Sequence, residues 1–291
     1  VCRDDRRGAC RDDRDERGPH DLHRDRHPDL LPVRDGDPWS ARDLAARDAG
    51  GTATAVGGTY EGSRGRPSDA YVIQERLIAT ASGGGRRGDT SAAVALGAVV
   101  AARPRYGGAR KVDMDGWAQA VHHSVRTAAQ RDPAMSALVS TLDLIILDAA
   151  DGPCLRFAHV GDGAIWHCPK SERPQPLTTS YSLEDGSSHS SGDGSHSHED
   201  GSHSSGDGSP QCGLGLASAL SPQVGTVSLR PGDRVVIITN GAIRALGVSR
   251  MAELFAGGPS PAACLDRVFD EMAAVEPKDD ATVVIADFVT T

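Results

Sequence analysis

Residues 140–167 read STLDLIILDAADGPCLRFAHVGDGAIWH. Three short runs within this stretch, Ser140–Asp148, Leu155–Val160 and Ala164–His167, are rich in Leu, Ile, Val and aromatic residues. They are separated by the turn-forming pairs Asp151-Gly152 and Asp162-Gly163. Apolar runs of strand length bounded by such turns read as successive β-strands connected in hairpins. Strands in hairpins, with helical segments added outside them, imply an α/β (α+β) sandwich built on antiparallel sheets and exclude a doubly wound parallel fold.

The same reading extends in both directions. Upstream, Ala70–Ala79 (AYVIQERLIA) forms two short strands around a turn, and the Ala-rich Thr90–Ala102 (TSAAVALGAVVAA) is helical. A long helix follows over Trp117–Gln130, with Ala118, Val121, Val125 and Ala128 on one face at helical spacing. Downstream, Gly225–Leu229 and Arg234–Thr239 are strands around a turn at Pro231-Gly232-Asp233. Ser260–Ala274 is an amphipathic helix carrying Ala263, Val268 and Met272, and Ala281–Val289 is a last strand. Because side chains alternate along a strand, Ile237 and Ile238 are expected to be buried on opposite faces, one between the sheets and one under the helices.

Composition bounds the function. A chain of 291 residues accommodates one large domain or two small ones. Its apolar share of 38% and aromatic share of 4% are lean, so part of it contributes nothing to a core. The formal charge of −9 argues against nucleic acid as a partner and suits a cationic partner or a metal. Six cysteines are scattered without a paired-ligand spacing, and no run of about 18 apolar residues suggests a membrane span. The expectation is a cytoplasmic, unexported protein with no membrane partner.

Two stretches account for the missing core. Residues 1–55 are dominated by Arg, Asp, His, Gly and Pro and read as a disordered tail preceding a domain at 56–291. A second reading is that the tail is off-frame text from a GC-rich gene. Residues 184–209, EDGSSHSSGDGSHSHEDGSHSSGDGS, form an imperfect Ser/Gly/Asp/His repeat. They are expected to be a disordered insertion, with His189, His196, His198 and His203 capable of adventitious chelation only.

Four segments in order carry a family likeness: GSRGRPSDAY (62–71), LIATASGGG (77–85), LRFAHVGDGAIW (155–166), and the pair GDRVVIITNGAI (232–243) with KDDATVVIADF (278–288). In these segments the chain resembles the bacterial PPM-type, or type 2C-like, metal-dependent Ser/Thr protein phosphatases. The resemblance implies a four-layer αββα sandwich of two antiparallel sheets flanked by helices. It also implies an acidic cluster at one end holding manganese or magnesium, which activates a water to attack a phosphoserine or phosphothreonine.

Carried over position by position, the likeness is incomplete. The family's Asn-Glu-Asp is Pro67-Ser68-Asp69 here, and its metal-bridging Asp-Gly is Ser82-Gly83. Its Thr-Asp-Gly is Thr239-Asn240-Gly241, followed by Arg244 where an acid is often found. The resemblance therefore implies Asp69, Gly83, Asp162 and Asp279 as remaining metal-site positions, Ser68, Ser82 and Asn240 as degenerate ones, and Arg64 as the phosphate-contacting arginine. Manganese or magnesium is expected to bind weakly or not at all. The leading expectation is a weakened or catalytically dead phosphatase that serves as a phosphoprotein- or protein-binding regulatory module. The alternative is an active manganese- or magnesium-dependent enzyme using the remaining carboxylates and neutral oxygens. Gly83–Thr90 has P-loop spacing, but Asp89 stands where the phosphate-binding lysine would be.

Overall fold

The computed structural model describes residues 44–45, 52–65, 67–74, 76–103, 112–132, 137–148, 153–179, 213–216, 219–257 and 259–289. The insertion read at 184–209 and most of the segment read as a tail lie outside them. The strands are β1 (Leu44–Ala45), β2 (Thr52–Tyr60), β3 (Asp69–Gln74), β4 (Leu77–Ser82), β5 (Leu142–Asp148) and β6 (Cys154–Val160). They continue with β7 (Ala164–Cys168), β8 (Gln175–Pro176), β9 (Gln223–Ser228), β10 (Arg234–Ile238) and β11 (Ala281–Val289). The helices are α1 (Gly88–Ala101), α2 (Met114–Arg131), α3 (Asn240–Leu246), α4 (Val248–Phe255) and α5 (Pro261–Val275).

One sheet has the order β1-β2-β11-β10-β7-β8 and the other β3-β4-β5-β6-β9. Every pairing among the described strands is antiparallel. Strand parity then sorts the core into three layers. Ile145, Leu155, Phe157, Ile165, Val235, Ile237 and Val284 meet between the two sheets. On β4 and β5 the alternate residues Ala79, Leu142 and Leu144 pack with Ala95 and Val99 of α1 and Trp117 and Val121 of α2. On the other sheet Val236, Ile238, Val283 and Ile285 pack with Met251, Phe255, Cys264 and Val268 from the C-terminal helices. The result is the four-layer αββα sandwich expected from the sequence.

Local chemistry fixes the starts of two helices. The α2 N-cap is Asp113, whose carboxylate accepts the Gly116 N–H at 3.0 Å. Ser260 caps α5 ahead of Pro261, a residue suited to the first helical position. At the far end of α5, Glu276 turns the chain in the left-handed conformation (φ 48°). That turn delivers Lys278–Asp280 to the start of β11.

The two-residue strands β1, within the segment read as a tail, and β8 were not read from the sequence, and three longer elements also differ from that reading. The strand β2 begins at Thr52, ahead of the domain boundary placed at residue 56, and was not read as a strand. Its sequence, TATAVGGTY, offers little apolar bulk. The small residues are required by packing: a Cβ on Gly57 would lie 2.9 Å from the Tyr71 ring, and one on Gly58 would lie 2.9 Å from the Phe269 ring. The helices α3 and α4 also went unread because each spans only about two turns, too short for a periodic signal.

Ile237 is 1% exposed between the sheets, and Ile238 is fully buried under the C-terminal helices. Truncating either to Ala is expected to cost roughly 2–5 kcal/mol, read as a lower urea midpoint. Tolerance of both changes would contradict this packing.

Candidate functional site

The antiparallel register gathers one set of strand ends into a single region. Asp69 opens β3 directly opposite Ser82, which closes β4. Asp162 lies in the turn between β6 and β7, Thr239-Asn240 follows β10, and Asp279-Asp280 precedes β11. The two sheets are joined here by hydrogen bonds. The Thr239 hydroxyl donates to Asp69 Oδ2 at 2.6 Å and accepts the Thr282 N–H at 2.9 Å. Asn240 Nδ2 donates to Asp162 Oδ2.

Each carboxylate of the region has its own protein partner. Asp280, 6% exposed, accepts the Gly62 N–H at 3.0 Å through Oδ1 and the Ser68 N–H at 2.8 Å through Oδ2. Asp279 is held by Arg64 on one oxygen and by Arg244, at 3.5 Å, on the other. Ser68 Oγ donates to Asp69 Oδ1 at 3.3 Å. Gly83 sits beside these groups with its N–H on Ser68 O at 2.7 Å. A Cβ there would fall 1.9 Å from Gly88 O, so only glycine lets β4 run this close to the start of α1.

Enclosure changes the acidity of two of these groups. Asp69 keeps some exposure as a residue, but its carboxyl end lies beneath Ser82, Thr239 and Thr282. Burial pushes its pKa up to about 6 against the hydrogen bonds that favour the anion, and nearby Asp280 adds to the rise. Burial also raises Asp162, with the Arg244 guanidinium as the strongest opposing influence.

Between the sheets, behind Asp162, lies a pair that the sequence reading did not single out. Asp143 and His159 face each other across β5 and β6, with Oδ1 and Nδ1 2.6 Å apart and almost no exposure. Burial works against a charged imidazole, but the Asp143 carboxylate outweighs it and raises the His159 pKa. Asp143 Oδ2, His159 Nε2 and Asn240 Oδ1 are buried without a hydrogen-bond partner among the described residues. A signal for this pair was available: Asp143 and His159 share strand parity with the apolar Ile145, Leu155 and Phe157. Asp280 was also passed over, since its neighbour Asp279 aligned with the family's carboxylate.

Placement of the expected site residues is therefore mixed. Ser68, Asp69 and Ser82 form one cluster with Thr239, while Asp162 and Asn240 form a second beside it. Asp279 and Arg64 form a third, more exposed cluster with Arg244. Among the described residues no three His, Cys, Asp or Glu side chains converge as metal ligands would.

Residues 194–289 match the family model for stage II sporulation protein E, of the PPM-type phosphatase family. Among solved structures, the catalytic domain of the Ser/Thr protein phosphatase PstP, in complex with two manganese ions, superposes with a TM-score of 0.64 at 18% identity. That match covers 81% of this chain and 98% of that one. The PPM Ser/Thr phosphatase MsPP from Mycobacterium smegmatis, in complex with cacodylate, gives 0.60 at 22% identity over 80% and 97%. The S. agalactiae Ser/Thr phosphatase gives 0.62 at 18% over 81% and 99%. No curated protein matches the sequence. The fold is that of the PPM-type Ser/Thr phosphatases, as the sequence motifs indicated.

Asp69 generates a pH test. Its folded pKa, about 6, lies above its ordinary value of 3.8, so the native state binds the proton more tightly than the unfolded chain. Stability contributed by the protonated form is present below the ordinary value and is lost as pH rises toward the folded pKa, a difference of at most about 3 kcal/mol. Asp69→Asn is therefore expected to gain stability relative to the parent as pH rises from 4 to 6.5, with a plateau above. Parallel denaturation curves for the two proteins across that range would refute the shift.

Proposed function

We propose that this domain is a PPM-fold module that recognises a protein or phosphoprotein and has little or no phosphatase turnover. The observation that carries the reading is Asp279, whose two carboxylate oxygens are held by the guanidinium groups of Arg64 and Arg244. The remaining carboxylates are committed as well: Asp280 to two backbone amides, Asp69 to Thr239 and Asp162 to Asn240.

The residues present do not fit the pair of dications that the fold implies. Two divalent ions held a few ångströms apart repel one another unless several carboxylates converge on them. Ser68, Ser82 and Asn240 are uncharged where the family likeness implies acids, and Arg244 adds a positive charge. A metal at Asp279 would also have to displace two arginines.

One observation favours the alternative of an active enzyme with neutral ligands. Asn240 Oδ1 is buried and unpartnered among the described residues, so it is an oxygen in search of a donor or a cation. A single such oxygen does not replace a bridging carboxylate.

The parent protein is expected to bind manganese weakly and to release phosphate from a phosphothreonine peptide slowly or not at all. Ser82→Asp combined with Asn240→Asp is expected to tighten manganese binding by calorimetry and to raise metal-dependent release above the parent. Full activity in the parent, abolished by Asp279→Ala, would overturn this reading in favour of the enzyme.

A further inference from the structure

We infer that Arg64 and Arg244 form a metal-free receptor for a phosphomonoester dianion, with the Asp279 carboxylate as the internal occupant that the ligand displaces. The inference deepens the reading of the domain as a phosphoprotein-binding module and rests on it. A phosphate-contacting role for Arg64 was already implied by the family likeness. The new elements are Arg244 as the second arm, Asp279 as the competitor, and independence from metal.

The side chains of Arg64 and Arg244 are 58% and 53% exposed, yet both turn onto one carboxylate that is itself 31% exposed. An ordinary surface ion pair is held by two flexible side chains and contributes little. Here the backbones beneath the side chains are fixed. The Ser63 N–H bonds Pro277 O at 2.9 Å and the Arg64 N–H bonds Lys278 O at 3.1 Å, so the Arg64 loop is laced to the turn that bears Asp279. That loop closes through the Gly65 N–H on Gly62 O at 3.1 Å, with Gly65 at φ 61°. Arg244 is anchored from the other side: α3 lies so close to the same turn that a Cβ on Gly241 would meet Asp280 O at 1.8 Å. Two guanidinium groups on backbones fastened to one turn are preorganised, which lowers the ordering cost of binding.

Burial raises the Asp162 pKa and the Arg244 guanidinium is the strongest influence opposing that rise, so its charge extends over the site as well as to Asp279. A cation entering this region meets two guanidinium groups, whereas an oxyanion meets two charged donors. Against one another, a phosphomonoester carries up to twice the charge of a carboxylate and three terminal oxygens, so it can engage both guanidinium forks more fully. Asp279 keeps the arginines paired until such a group arrives.

The test is binding in EDTA, which separates this inference from the question of turnover. A fluorescent phosphothreonine peptide is titrated with the parent protein by anisotropy, with inorganic phosphate and the unphosphorylated peptide as competitors. The expected result is metal-independent binding that is displaced by phosphate and not by the unphosphorylated peptide. Arg244→Ala and Arg64→Ala are each expected to weaken it at least about tenfold, the effect of losing a charge-assisted hydrogen bond. Arg244→Lys is expected to restore part of the loss, and Asp279→Asn to tighten binding. Thermal melts of the variants check that the fold is intact. Binding that requires manganese, that is equal for the unphosphorylated peptide, that survives Arg244→Ala unchanged, or that is absent altogether would overturn the inference. Manganese-dependent hydrolysis together with Arg244-dependent binding in EDTA would instead overturn only the low-turnover reading.

Discussion

The buried carboxylate of Asp280 holds the loop that leads from one sheet to the other. The chain leaves the first sheet at Tyr60, crosses through Gly62–Ser68 and enters the second at Asp69, and Asp280 accepts a backbone N–H from each end of that crossing. Carboxylate-to-amide bonds are charge-assisted, and in a buried setting the loss of the acceptor would leave both donors unsatisfied. Everything at this end of the sandwich is placed relative to that fastening. Arg64 lies within the crossing, Asp69 follows it, and Asp279 adjoins the carboxylate that does the holding.

Charge balance explains the rest of the arrangement. In a site built for dications the metal ions neutralise neighbouring carboxylates, so acids can stand close together. Here each carboxylate is neutralised or hydrogen-bonded by a protein group. Arg64 and Arg244 serve Asp279, Asn240 serves Asp162, and Thr239 serves an Asp69 whose proton is held more tightly than usual. The buried Asp143–His159 pair obeys the same rule deeper in the sandwich, where an imidazole with a raised pKa faces an otherwise isolated carboxylate.

The strands were legible in the sequence because they are apolar runs of strand length bounded by turn residues. LDLIILD and CLRFAHV are largely apolar runs of strand length between turns; strand geometry puts Ile145 and Leu144 on opposite faces, and the fold shows Ile145 at the sheet interface and Leu144 on the helix side. The strand TATAVGGTY was not legible, since its faces are set by ring contacts from Tyr71 and Phe269 that only the fold brings near. At the site, the motif positions were readable one by one, while the partners of each side chain were not. Sequence order says that Arg244 lies four residues after Asn240. Only the pairing of β10 with β11 shows that this brings a guanidinium to Asp279, 35 residues further along.

That distinction bears on how a site without the usual acids can hold its shape. Metal ions cross-link loops as well as activating water, so on the proposed low-turnover reading those loops are joined by other means. The necessary links are present as hydrogen bonds between segments remote in sequence: Gly62 and Ser68 to Asp280, Thr239 to Asp69, and Asn240 to Asp162. Most of these use donors that a dication would not require. Asn240 is the clearest case, because its amide nitrogen donates to Asp162 where an aspartate in the same place would set two carboxylates against each other. Asn240 is therefore both a position that departs from the family pattern and a side chain that ties the turn after β6 to the end of β10 without a metal.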